Sequence, residues 1–360
     1  MTRHLCLLGD ANSVHVRRWA REMLTRDWRV SVVTARPEPI DGVEQHVLAP
    51  VRRSVDWLSR VASARQVIAA LAPDVVHAHY ITSYGYLAAR CARRPLVMTA
   101  WGSDILVTPR RSAVLRWLTG WTLRRADLIT GDSLDLLDAM RCYRPTAPLH
   151  QIHWGADLTR FRPADWDRKA GFQIVSLRSW EPNYRIDVIV QALARLVRTP
   201  SGADAHLHLL GGGSQETDLR ALVKSLDLDE RVTFHGRLDD AGMSAVMQAC
   251  KVSVSVPCSD ATSVSVLESM ACGLPVVASD LPANRQWLDA GDGALVPAGD
   301  AQALASTLQV WSEDDARARR IGEGNRRRME AEGARAVQMD AMSTLYERLL
   351  SGDLPRVRSA

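Results

Sequence analysis

Asp260 and Glu268 stand eight residues apart inside the run 257–280, PCSDATSVSVLESMACGLPVVASD. The run follows an apolar alternation, Val252, Val254 and Val256. It crosses a short loop of small polar residues, turns helical from Val264 to Ala271, stops at Gly273 and continues into a second apolar stretch, 275–278. A strand, a small-residue loop and a helix in that order present backbone N–H groups to an anion. A carboxylate one to two turns into such a helix reaches neutral hydroxyls beside that anion. Phosphate next to sugar hydroxyls is the signature of a nucleotide sugar, and the rest of the chain is read against that expectation.

Cationic groups stand where the phosphates would need them. Arg178 closes the apolar stretch 172–176, and Arg185 follows in a loop ahead of a helical segment. Two guanidiniums there could neutralise a leaving diphosphate. The plainer alternative is two exposed arginines in an arginine-rich chain, because all but Lys169, Lys224 and Lys251 of the 45 basic residues are arginine; position at a strand end favours the functional reading for Arg178 and leaves Arg185 open. A GC-rich genome is the simpler account of that bias, although arginine also suits phosphate best. Gly211, Gly212 and Gly213 lie between a strand and a helix without the G-x-G-x-x-G spacing, which reads as a tight turn and not as a dinucleotide fingerprint. Gly9 to Ser13 lacks the fingerprint too, and neither a P-loop, G-x-S-x-G nor H-E-x-x-H occurs. His77 and His79 share one face of a strand. No third metal ligand accompanies them, so the expectation is one ring inside the sheet and one lining a cleft; His206 and His208 repeat the spacing. No metal site is expected.

The elements that must position these residues follow from the patterning. The 360 residues are 46% hydrophobic and 24% charged, ordinary for a globular chain long enough for two domains. A net charge of +4 does not argue for a nucleic-acid partner. The six cysteines are scattered without a C-x-x-C pair, which excludes a zinc ribbon or thioredoxin-like chemistry and fits a reducing cytoplasm. The apolar start, 1–9, is too short for a signal peptide, and no stretch reaches the roughly 18 residues of a spanning helix. The segment 110–125 combines five arginines with Trp117 and Trp121. Peripheral contact with an anionic membrane is one reading of it, and a domain helix packing its apolar stripe inward is the plainer one.

Strand-like and helix-like segments alternate twice. The first series runs from the strand 4–9 through the helix 133–140, and its strand ends carry Asp10 and Asn12, His77 and His79, then Trp101, Ser103 and Asp104. The pattern lapses over 153–169, read as a linker, and resumes with strands at 172–176, 205–210, 232–235 and 252–256. The charge-rich run 313–328 reads as a solvated helical face, and 334–350 as a closing helix. Such alternation predicts parallel sheets covered on both faces, with ligands beyond the strand C-termini. Two similar halves predict two Rossmann-like domains about a cleft.

Taken together these residues resemble the retaining glycosyltransferases of family four, over nearly the whole chain. The family's Glu-x7-Glu signature is matched by Asp260-x7-Glu268 and the S-M-A-C-G-L-P-V-V that follows, and T-x-H-G-S-D by Thr99 to Asp104 with Trp101 in the histidine's place. The linker motif is similar to Trp154-Gly155-Ala156-Asp157 with Phe161 and Pro163. The G-R-L-x-x-x-K-G loop is matched in part by 177–185, with Asn183 or Tyr184 at the lysine and Arg185 beside it. The resemblance implies the α/β GT-B fold: an acceptor-side domain over 1–160, a nucleotide-sugar-binding domain over 161–333, and a helix over 334–360 returning to the first domain. It implies that Glu268 holds the donor ribose, that Asp260 lies near the donor sugar, and that Arg178, with Arg185 as a substitute charge, meets the diphosphate. Thr262, Ser263 and Val264 would hold phosphate at the helix start, and Gly236, Arg237 and Leu238 would border the base. Asn12, His15, His79, Trp101 and Asp104 would serve the sugar or acceptor side. The implied reaction moves a sugar from a nucleoside diphosphate to a hydroxyl of a cell-envelope glycan, a lipid or a soluble natural product. The acceptor attacks from the face the diphosphate leaves, the departing phosphate takes its proton, and neither metal nor cofactor is required. A nucleotide-sugar epimerase, a phosphorylase, or a non-catalytic nucleotide-sugar-binding protein would be the alternatives on the same fold.

Overall fold

The computed structural model describes residues 2–354 except 92 and 293. The chain divides into two compact units, Met1–Trp154 with Ala336–Ala360, and Gly155–Arg335. In unit one β1 (His4–Leu8), β2 (Arg29–Thr34), β3 (Glu44–Val47), β4 (Val75–His79), β5 (Leu96–Thr99), β6 (Leu128–Gly131) and β7 (Leu149–Gln151) form a seven-stranded sheet in the order β3-β2-β1-β4-β5-β6-β7. Its pairings are parallel, with Leu5 beside both Val30 and Val75. All residues of β1, β4, β5 and β6 are buried, as uninterrupted apolar strands must be when helices cover both sheet faces. Val16, Trp19, Ala20 and Met23 form the inward stripe of the helix Val14–Leu24, at the spacing an amphipathic helix requires, and Ser13 caps its start by accepting the His15 N–H.

Unit two repeats the plan. β8 (Gln173–Ser176), β9 (His206–Leu210), β10 (Val232–Gly236), β11 (Val252–Ser255), β12 (Val276–Ser279) and β13 (Leu295–Val296) are ordered β10-β9-β8-β11-β12-β13. In both sheets the strand order reverses once, between β1 and β4 and between β8 and β11. A doubly wound sheet opens a crevice at that point.

Three segments differ from expectation. The stretch read as a linker is a packed strap: Phe161 is fully buried, and Ala156 bridges to Ala334. The charge-rich segment forms a helix, Asp315–Arg328, that is more than a solvated face. Gly322 on its buried side lies so close to Gly273 that a Cβ at 322 would sit 2.1 Å from the Gly273 carbonyl oxygen. The helix Ala113–Leu123 buries Thr119, Gly120, Thr122 and Leu123, while Val114 and Trp117 on its other side are 71% and 62% exposed. The inward-packing expectation thus fails for Trp117 because it shares its helix face with Val114. Among the described residues no helix is long and apolar enough to cross a membrane.

Candidate functional site

The switch point of unit two gathers the residues singled out from sequence. β8 delivers Arg178 at its end, and β11 delivers the loop 257–263 that leads into the helix Val264–Ala271. Arg178 is only 9% exposed. Its Nη2 donates to Asp260 Oδ2 at 2.7 Å, and its Nη1 donates to Ser265 Oγ at 3.1 Å and to Ser263 Oγ. The Tyr184 ring covers the guanidinium, with its centroid 4.3 Å from Cζ. A buried guanidinium needs this density of acceptors. Burial raises the Asp260 pKa, and the Arg178 charge opposes that rise.

Ser263 is the N-cap of this helix by backbone geometry, yet its hydroxyl makes no capping bond; Arg178 and Ser265 engage it instead. The positive end of the helix therefore carries no side-chain cap beside a buried arginine, which is the arrangement that receives an anion. Thr262 is buried in the same loop, and Val264 opens the helix half-buried. Glu268, one turn further, is 4% exposed. Such a carboxylate can accept from hydroxyls but has little room for a second charged group.

Arg185 is placed differently from the expectation of a lysine substitute. It adopts φ +49° ahead of the helix Ile186–Leu196, and its Nε and Nη2 donate to the two oxygens of Asp187 at 3.0 and 3.1 Å. Its fork is occupied, whereas Tyr184 faces Arg178 directly. Asn183 fastens this loop to the other side of the site: its Nδ2 donates to the Ser259 carbonyl at 2.9 Å, and its own carbonyl accepts the Cys258 N–H at 2.8 Å. Ser265 and Tyr184 are the side chains on Arg178 that sequence reasoning missed. Ser265 carried a signal, being the second serine of S-V-S at a helix start; Tyr184 had registered only as a missing lysine.

The glycines 211–213 hold the neighbouring wall. A Cβ at Gly211 would lie 2.6 Å from the Arg178 carbonyl oxygen, and one at Gly213 would lie 2.3 Å from that of Trp180. These positions admit only glycine because the Arg178 loop crosses directly over them. Gly211 N–H donates to the Gly236 carbonyl at 2.8 Å, which brings the turn of Gly236 (φ +70°), Arg237 and Leu238 to the same edge. Arg237 is exposed there, and Leu238 is half-buried against the core.

In unit one the switch point carries the other candidates. Asn12 is exposed, and its N–H donates to the Arg36 carbonyl. The His15 ring lies 4.2 Å from Trp154 and 5.3 Å from Trp101, centroid to centroid. His77 and His79 are both fully buried. His77 bonds Tyr346 Oη at 2.5 Å and Thr99 Oγ1 at 2.6 Å within the sheet. His79 accepts from Trp101 Nε1 at 3.3 Å, and burial lowers its pKa to about 3, so the ring is neutral. Asp104 does not line an open surface. Fully buried, it accepts the Ile81 N–H at 2.7 Å and the Trp101 N–H at 3.0 Å, which makes it the joint that positions Trp101. Burial pushes its carboxyl up to about 6.

Comparison with known proteins agrees with this geometry. The family model for Glycosyl transferase 4-like proteins matches residues 4–133, and that for Glycosyl transferases group 1 matches 163–328. EpsD of Bacillus subtilis (strain 168), whose designation as a glycosyltransferase is provisional, is 27% identical over 93% of this chain and 92% of its own. The sucrose-phosphate synthase of Thermosynechococcus elongatus superposes with a TM-score of 0.84 at 20% identity, over 97% of this chain and all of that one. Anabaena HepE, solved in complex with UDP-glucose, superposes with a TM-score of 0.80 at 18% identity, over 96% of this chain and 99% of its own. Two parallel Rossmann-like sheets, an arginine at the uncapped helix of the second and the two matched family models converge on one conclusion: the chain belongs to the group 1, family-four glycosyltransferases and has the GT-B fold.

Proposed function

We propose that this glycosyltransferase uses a nucleoside-diphosphate sugar and transfers the sugar to an acceptor hydroxyl with retention at the anomeric carbon, without a metal ion. The observation that carries the reading is the Arg178 cluster at the uncapped start of the helix Val264–Ala271. With nucleotide bound, the leaving diphosphate takes the guanidinium and the helix N–H groups, and both stabilise the charge that grows as the glycosidic bond breaks. Asp260 holds Arg178 in place beforehand; as phosphate takes over part of the fork, its carboxylate turns to a hydroxyl of the donor sugar. Glu268 accepts from the ribose hydroxyls, and the 236–238 turn borders the base. A leaving phosphate oxygen receives the acceptor proton, so no side-chain base is needed at the anomeric centre. The UDP-glucose complex of HepE supports this choice of donor class.

The test is nucleotide release across UDP-, GDP- and ADP-sugars, with acceptor panels and anomer analysis of the product. Arg178→Ala is expected to lower turnover by about 10²–10³-fold, and Glu268→Ala to weaken donor affinity by about tenfold or more. Near-wild-type behaviour of both removes the site assignment. Donor conversion without an acceptor would make the protein an epimerase, and dependence on inorganic phosphate a phosphorylase.

The enzyme's setting is a cytoplasmic anionic membrane face in the same proposal. Residues 105–126 contain no acidic side chain, and Arg110, Arg111, Arg116 and Arg124 are exposed around the outward Val114 and Trp117. That combination suits the headgroup boundary of an anionic bilayer. Co-sedimentation with phosphatidylglycerol vesicles should exceed that with phosphatidylcholine and should fall in a Val114→Ala, Trp117→Ala double variant. Equal sedimentation in all four mixtures rejects the membrane assignment.

A further inference from the structure

Three of the 45 basic residues are lysine, and the fold treats the three differently. Lys224 is exposed on the helix Glu216–Ser225. Lys251 Nζ bonds Asp315 Oδ1 at 2.6 Å. Lys169, just ahead of β8, is only 9% exposed. Its Nζ donates to the Cys250 carbonyl at 2.7 Å and stands 4.8 Å from the centroid of the Trp166 ring. The ring face favours the ammonium, but one carbonyl and one ring do not replace the water shell lost on burial. Asp315, whose charge also favours the ammonium, is already engaged by Lys251 and by Trp166 Nε1 at 2.8 Å. Burial pushes the neighbouring Cys250 and Cys272 thiols up to about 12, so neither supplies an anion. Desolvation therefore wins at Lys169 and lowers its pKa to about 8, with the Lys251 charge acting in the same direction.

The same residue lines a cavity of about 350 Å³ together with Trp166, Arg319, Arg326 and Arg327. No member of the Arg178 cluster lines it. Its acids are Asp165 and Glu323, so cations predominate. Arg319 Nε donates to Glu323 at 3.0 Å, and Arg326 Nε to Glu330 at 2.7 Å. Arg327 is exposed, so its guanidinium can turn to a ligand anion without giving up a buried partner. A neutral amine at Lys169 keeps its bond to the Cys250 carbonyl through one N–H and retains a lone pair. Such an amine in a cavity lined by guanidiniums suits an electrophile that carries its own anion. A neutral electrophile would gain nothing from the arginines. The volume, at the small end of ligand pockets, holds a short acyl phosphate whole.

We infer that Lys169 is a modification site, acylated at Nζ by a small acyl phosphate seated in this cavity. Nζ attacks the acyl carbon. The C–N bond forms as the C–O bond to phosphate breaks, the electron pair leaves with the phosphate, and the surplus proton of the amine passes to water. The intact protein is incubated with acetyl phosphate near pH 7.5, and peptide mass spectrometry follows each lysine. An amine of pKa about 8 is about a quarter neutral there, against roughly one part in a thousand for an unperturbed lysine. Lower basicity returns part of that gain as weaker nucleophilicity, so Lys169 should acetylate at least about tenfold faster than Lys224. Its rate should saturate with acetyl phosphate and fall when inorganic phosphate is added. Arg327→Ala should slow it about threefold with acetyl phosphate but leave it unchanged with acetic anhydride, a neutral donor. In urea Lys169 and Lys224 should react alike. The inference is overturned if Lys169 reacts no faster than Lys224 or if its preference survives in urea. It is overturned equally if its rate stays proportional to acetyl phosphate without competition by phosphate, or if Arg327→Ala slows both donors alike or neither.

Discussion

Arg178 and Asp104 show two ways of burying an ionisable side chain. Arg178 is buried among partners, with Asp260, two serine hydroxyls and the Tyr184 ring around its guanidinium. Removing any one acceptor leaves a buried cation partly unsatisfied, so the cluster behaves as one unit and its members should not act additively. Asp104 has no cation partner. Two backbone N–H groups help its carboxylate, but desolvation wins and raises its pKa to about 6. A carboxyl whose pKa is higher in the folded than in the unfolded chain binds more protons when folded between about pH 4 and 6. Stability must then fall as pH rises through that window. Relative to Asp104→Asn, wild type should lose on the order of 2–3 kcal/mol between pH 4 and pH 6.5. Urea melts of both proteins across that range measure the difference, and a pH-independent gap would mean that Asp104 is charged in the native state throughout.

At the scale of elements, both doubly wound sheets were legible because their strands are short apolar runs separated by helical periodicity. The helix Val264–Ala271 and its loop were legible for the same reason, with Asp260 and Glu268 as markers. What could not be read was set by approach across the fold and not by local pattern. β7 and β13 are three and two residues long and carry too little periodicity to stand out. The glycines at 211 and 213 looked like an ordinary turn, yet their reason is the Arg178–Trp180 backbone passing above them. Arg185 reads as a charge for phosphate, and its pairing with Asp187, two residues on, could not be read from the pattern. Nothing in the charge-rich sequence of Asp315–Arg328 showed that Gly322 touches the end of the helix carrying Glu268. That contact yields a prediction. The Cβ of Gly322→Ala would meet backbone at 2.1 Å, where no flexible atom can give way. The helix Asp315–Arg328 must move outward, at a cost of about 1–3 kcal/mol or more. Because the displaced partner, Gly273, follows the helix to which the proposed function assigns the donor, the Michaelis constant for nucleotide sugar should rise as well on that reading. A variant as stable as wild type with unchanged donor affinity would show that the two helices slide without resistance.

For the molecule as a whole, the sequence order of the chain and the composition of its units do not coincide. Unit one is completed by the last helix, Arg335–Ser351, after the chain has built all of unit two. Met339, Met342, Leu345 and Tyr346 of that helix join the core formed by β1, β2 and the helix Val14–Leu24. Tyr346 does more than fill space. Its hydroxyl accepts from Trp19 Nε1 at 3.0 Å and bonds His77 Nδ1 at 2.5 Å; His77 in turn reaches Thr99, and Thr99 reaches Thr130. This buried relay runs from the first helix through the closing helix to β6; burial, joined by the neighbouring His79, lowers the pKa of the His77 imidazole, and burial raises that of the Tyr346 phenol against the Trp19 hydrogen bond. Tyr346→Phe preserves the ring and its packing while stripping two buried partners of their hydrogen bond. The expected cost is about 2–4 kcal/mol, because each orphaned group retains its full desolvation penalty. Hydrogen exchange should localise the loss: amides of β1, β4 and β5 lose protection, whereas those of β8, β11 and β12 in unit two keep theirs. Uniform loss across both sheets would mean that the two units unfold as one cooperative body, and no loss at all would mean that the relay contributes nothing beyond the apolar contacts of the ring.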